Sequence, residues 1–117
     1  YVKAWRGEYE ITVFHTPCTY SDRNLCEELV PAIAQIVGEE QIHEIPPMSG
    51  TEDFGYFTQQ VPGMFAFIGV GKPGNAPLHN AHMILDESVL NLGAAVYANA
   101  AMSWLMRHKG EGERENE

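Results

Sequence analysis

The sequence predicts an α/β fold, on three observations. Strand-like and helix-like segments alternate along the chain in the order β-α-β-α-β-α. Residues 64–70, MFAFIGV, form an apolar run without clean alternation, as a strand covered on both faces does. The last helical stretch, residues 86–108, is rich in small residues (Gly93, Ala94, Ala95, Ala98, Ala100, Ala101), so it can lie close against a sheet.

Each element has its own local reason. Residues 8–14 alternate, with Tyr9, Ile11 and Val13 on one side and Glu8, Glu10 and Thr12 on the other, which suits a strand with one solvated face. A loop containing Pro17 follows. Ser21 or Asp22 can cap a helix running to about Val37, where Gly38 is a natural stop. Leu25, Leu29, Ile33 and Ile36 make its apolar stripe. Pro31 lies inside it, which predicts a kink or two short helices. Residues 42–45 are a short strand candidate ended by Pro46 and Pro47. Ser49 and Glu52 match a capping box, which predicts a helix over residues 51–59. Residues 61–63 turn, and residues 71–77 form a Gly/Pro loop. Asp86, Glu87 and Ser88 can start the final helix, with Arg107, His108 and Lys109 complementing its dipole at the other end; Asp86 and Glu87 thus read as caps.

The chain has 117 residues, enough for one modest domain, and 44% of them are hydrophobic. A net charge of -9 argues against a nucleic-acid partner, since phosphate binding needs a basic surface. No apolar run approaches the ~20 residues that span a bilayer, so no membrane partner is expected. The chain opens at Tyr1 with no initiator Met and no visible signal peptide, which suggests a processed or excised piece. Its two cysteines, Cys18 and Cys26, could form one disulfide. They read better as the free thiols of a cytoplasmic protein. The tail, residues 109–117 (KGEGERENE), reads as a solvated, disordered acidic end.

Few residues here can do chemistry by themselves. His15 and Cys18 have a plausible metal-pair spacing, though free cysteines explain the same residues. His79 follows a Gly/Pro loop after a buried strand, the place where open α/β sheets put ligand sites, and a neutral imidazole binds zinc well. His82 lies three residues on. Neither HExxH nor CxxC occurs, so no recognisable motif completes a four-ligand site.

Three segments in order change that picture. The turn Thr51-Glu52-Asp53-Phe54 leads to Val61-Pro62-Gly63 and the apolar run MFAFIGVG. Then come Leu78-His79, Met83, Asp86-Glu87 and the small-residue helix LNLGAAVYANAAMSWL. Upstream, IVGEEQIHEIPP supplies a Gly-Glu-Glu segment. Over residues 20–106 this resembles the C-terminal end of the zinc-dependent amidohydrolases and carboxypeptidases that include aminoacylases and hippurate hydrolases. The resemblance implies that His79 is a metal ligand and that His82 is not. It implies that residues 1–17 end a lid or dimerisation domain and that residues 18–108 are the C-terminal part of a catalytic α/β sheet domain flanked by helices. It also implies two metal ions in the complete enzyme, zinc first, with manganese or cobalt also acceptable to such ligands. The substrate would be a small N-acyl amino acid or peptide, and the complete enzyme a homodimer.

In that family the substrate pocket lies beside the matched turn. Gly50 and Thr51 could offer amides or a hydroxyl to a substrate carboxylate at a helix N-terminus. Glu52 and Asp53 admit two readings, substrate positioning or metal-shell support on one side and helix capping on the other. The implied reaction is attack of a metal-activated water on an amide carbonyl, with a glutamate taking the proton. That glutamate and the other ligands have no counterpart here. The expectation is therefore that no catalytic residue lies within this chain and that the piece alone is inactive. Two rival readings stay open: a stand-alone module binding a small anion, and a structural subunit that depends on a partner chain.

Overall fold

The computed structural model describes residues 1–109. Three α-helices form: α1 (Arg23–Val37), α2 (Phe54–Thr58) and α3 (Leu90–Arg107). Single 3-10 turns lie at Val2–Trp5, Glu39–Gln41 and Glu87–Val89. All of the acidic tail beyond Lys109 falls outside the described residues.

Helix α1 starts and stops where its end chemistry dictates. Asp22 is extended, and its carboxylate accepts the Leu25 N–H at 2.9 Å. Gly38 at φ 87 donates its N–H to the Ala34 carbonyl at 2.8 Å. The helix runs unbroken through Pro31, so the two short helices expected there do not form. Pro31 and Glu27 are both exposed, so water can serve the Glu27 carbonyl that the proline leaves without an N–H.

Helix α2 is shorter than residues 51–59, and the capping box does not close. Asp53 is its N-cap and makes no side-chain cap bond, while the Glu52 carboxylate accepts the Phe54 N–H at 3.4 Å. Its anchorage comes from residues 15–19 instead. The Tyr56 hydroxyl donates to the His15 carbonyl at 2.7 Å, and the Thr19 hydroxyl donates to the Glu52 carbonyl at 3.4 Å. Gly55 is buried there, and an added Cβ would stand 2.6 Å from the Pro17 carbonyl oxygen. Backbone cannot yield as a side-chain tip can. Gly55→Ala is therefore expected to destabilise the complete protein by about 1–3 kcal/mol. The check is its denaturant midpoint against Gly50→Ala, whose new methyl meets nothing within 4 Å.

Helix α3 packs on α1 through long-range anchors. Asn99 donates to the Ala32 carbonyl at 2.7 Å, and Arg107 donates to the Glu28 carbonyl at 3.1 Å. The His108 ring stacks on Trp104 at 4.3 Å and lies 3.5 Å from the Glu28 carboxylate. Gly93 lets α3 approach Ile68 closely, since a Cβ there would be 3.0 Å from Ile68 Cδ1. With its leading turn, Glu87–Arg107 spans 21 residues, and an 18-residue window within it reaches a mean hydropathy of 1.2. By length and composition alone it is long and apolar enough to cross a membrane, a test that a helix packed inside a protein also passes. Its hydropathy comes from Leu, Val and Met as well as alanines, and Asn99 interrupts it to bind α1.

No β-strand forms among the described residues. The strands predicted over residues 8–14, 42–45 and 64–70 are unpaired, and an isolated bridge joins Ala76 to Met83. A strand exists only with a neighbour to complete its ladder, and these segments have none among the described residues. Residues 64–68 nevertheless present two faces. Met64, Ala66 and Ile68 line an apolar groove with α1 and α3, while the Phe65 and Phe67 rings meet edge to face at 5.1 Å. The groove holds about 760 Å³, and Leu29, Ile33 and Val96 also line it. The run is thus not covered on both faces: Phe67 and Ile68 are exposed, as are Tyr9, Ile11 and Val13 of the opening segment. Ala32, at 2% exposure, is the one buried hydrophobic side chain among the described residues. The radius of gyration is 20.4 Å, against about 13 Å for a compact domain of this length.

Candidate functional site

The loop carrying His79 is tied across at successive heights. At its base the Asp86 N–H donates to the Val70 carbonyl at 2.8 Å, and the Lys72 ammonium lies 3.0 Å from the Asp86 carboxylate. That carboxylate also caps the turn before α3, accepting the Ser88 N–H at 3.1 Å and its hydroxyl at 2.6 Å. The Ser88 hydroxyl first, and Lys72 next, hold the Asp86 carboxyl below the usual carboxylate range. Midway, the Asn75 side-chain amide donates to the Ile84 carbonyl at 2.8 Å. Ala76 bridges to Met83 above it.

Residues 77–82 form the far end. The Met83 N–H donates to the Asn80 carbonyl at 3.0 Å, and the Asn80 side chain accepts the His82 N–H at 2.8 Å. His79 sits there at φ 64, in the left-handed region. That conformation costs a side-chain-bearing residue about 1–2 kcal/mol, so its surroundings must hold it. The side chain is exposed and has no hydrogen-bond or ion-pair partner among the described residues. A ring nitrogen is thus available as a donor to a metal.

One donor does not make a metal centre. Among the described residues no group of three or more His, Cys, Asp or Glu could hold an ion. By itself His79 offers a metal a single donor atom. His15 and Cys18 are both exposed and form no such group. Both cysteines are free thiols, and burial pushes the Cys26 thiol up, which keeps it protonated.

Gly50, Thr51 and Glu52 are exposed and lie in irregular backbone ahead of α2. Because α2 begins at Phe54, the Gly50 and Thr51 amides precede its first turn. No hydrogen bond or ion pair among the described residues joins residues 50–52 to His79. The ties from Lys72 and Asn75 were not found by sequence reasoning. Asp86 was legible only as a cap, and Asn75 lies in an aperiodic loop whose turn chemistry, Pro73-Gly74, was its one signal.

Comparison with known proteins places this arrangement. Residues 5–103 match the sequence profile of Peptidase family M20/M25/M40. The chain is 31% identical over 98 residues to IAA-amino acid hydrolase ILR1-like 2 of Arabidopsis thaliana, covering 82% of this chain and 22% of the relative. It is 31% identical over 91 residues to thermostable carboxypeptidase 2 of Saccharolobus solfataricus, covering 75% and 22%. It is 42% identical over 66 residues to N-acetyldiaminopimelate deacetylase of Streptococcus suis, covering 56% and 17%. The chain thus spans about a fifth of the length of these relatives. No solved structure matches the chain significantly. With its profile match running through the helices and the His79 loop alike, the chain belongs to Peptidase family M20/M25/M40.

Proposed function

We propose that the complete protein hydrolyses the amide bond of N-acyl amino acids or small peptides with the help of bound metal, and that this chain is its C-terminal portion. The family match over residues 5–103 carries the reading. The printed names of the relatives, amino acid hydrolase, carboxypeptidase and deacetylase, support it.

His79 is the one metal ligand this chain contributes, to a site of two ions, with zinc favoured over manganese or cobalt. When bound, the metal supplies Lewis-acid polarisation of the scissile carbonyl. The chain's own residues bind and orient. His79 offers a neutral imidazole from a loop tied at its base. Gly50 and Thr51 offer amides and a hydroxyl to the substrate carboxylate, and Glu52 shapes that turn. The proton-accepting base and the other ligands lie outside the chain.

The same reading completes the fold. Residues 64–70 pair with strands of the missing part, and the apolar groove beneath α1 and α3 closes, giving an α/β catalytic domain over residues 18–108. Residues 1–17 end a lid through which the complete enzyme forms a homodimer. Two free thiols fit a cytoplasmic setting. The test uses the complete protein, stripped with a chelator, reloaded with zinc, manganese or cobalt, and offered N-acyl amino acids and dipeptides. Metal-restored release of free amino acid is expected. No release with any of the three metals would sink the proposal.

A further inference from the structure

We propose that Asn75 and Lys72, together with Asp86, are positioning residues for His79, setting the affinity of the metal it holds. The inference rests on reading His79 as a ligand.

The argument is geometric. His79 stands at φ 64, which its own side chain does not favour, so the loop must impose it. The loop is built to do so. Residues 72–75 make a turn with Pro73 and Gly74 at its centre, Gly74 at φ 89, closed by the Asn75 N–H donating to the Lys72 carbonyl at 3.0 Å. That turn aims the Asn75 amide across the loop, where it donates to Ile84 at 2.8 Å. The same turn starts at Lys72, whose ammonium is held 3.0 Å from Asp86 on the opposite strand of the loop. Asp86 is itself fixed by Val70 and Ser88. Both sides of the loop are thus fastened below His79, which narrows the backbone geometries open to its far end. A ligand held in advance binds metal without a further ordering cost. Cutting a tie frees the far end, and the imidazole must be ordered when the ion arrives.

The experiment measures zinc affinity of the complete protein by competition with a chromophoric chelator, and the melting midpoint of the same metal-free protein. Three variants are compared: Asn75→Ala, Lys72→Met and His79→Ala. His79→Ala is expected to lose one zinc. Asn75→Ala and Lys72→Met are expected to weaken zinc binding about 10–100-fold, the range seen when groups supporting a ligand are removed, with the metal-free midpoint unchanged. If His79→Ala loses a zinc while both tie variants bind within twofold of the parent, the ligand reading stands and this inference falls. If His79→Ala keeps every zinc, both fall. A lowered metal-free midpoint with unchanged affinity would make the ties merely structural and overturn the inference. Should Asn75→Ala fail to fold, Lys72→Met decides by the same measurement, because Lys72 is 59% exposed and its removal leaves the packing intact.

Discussion

His79→Ala in the complete protein is expected to lose one metal ion and to lower turnover by about 10³-fold or more. Losing a Lewis acid worth several kcal/mol has that size, since each 1.4 kcal/mol is about tenfold. The folded state should hardly notice. His79 is exposed, has no hydrogen-bond or ion-pair partner among the described residues, and pays for nothing in the packing. Surface changes of this kind fall within about 0.5 kcal/mol. A second substitution separates backbone from ligand. At φ 64 glycine is at ease, so His79→Gly should be more stable than His79→Ala and equally inactive. Metal content by elemental analysis, kcat on an N-acyl amino acid and the melting midpoint together decide. Full metal content with parental turnover in His79→Ala would refute the assignment.

The isolated chain is expected neither to hydrolyse substrate nor to behave as a compact domain. Among the described residues no group of three or more His, Cys, Asp or Glu comes together to hold a metal. The packing is as incomplete as the site. A radius of gyration of 20.4 Å and an apolar groove of about 760 Å³ leave large hydrophobic surface in water. Patches of that extent bind dyes and other chains. Strong binding of a hydrophobic dye, a broad melting transition and concentration-dependent association in sedimentation are the expected results. A sharp, cooperative melt from a dye-negative monomer would count against the open groove. Zinc-dependent turnover by the pure chain would count against the missing ligands.

What could be read from the sequence was local, and what escaped it was long-range. Asp22 and Gly38 bracket α1 because a cap carboxylate and a left-handed glycine act within one turn of chain. Ser49 and Glu52 match an equally local pattern, yet α2 starts later, since Thr19 and His15 reach in from over 30 residues away to hold Glu52 and Tyr56. Residues 64–70 are legible as an apolar run, but an apolar run does not supply a partner strand. His79 had weak support from its position after a loop, and the resemblance of the surrounding segments gave it weight. Its left-handed backbone and the ties below it depend on contacts across the loop that periodicity does not register.

The anchors between α1 and α3 also order events in time. Asn99 reaches back 67 residues to Ala32, and Arg107 reaches back 79 to Glu28. Contacts so distant along the chain form late, because loop closure must precede any reward. As the polypeptide leaves the ribosome, α1 emerges with Leu25, Leu29 and Ile33 unshielded and stays so until α3 has followed. Through that interval the nascent chain is a target for chaperones, and slowed translation across residues 90–107 would lengthen its exposure.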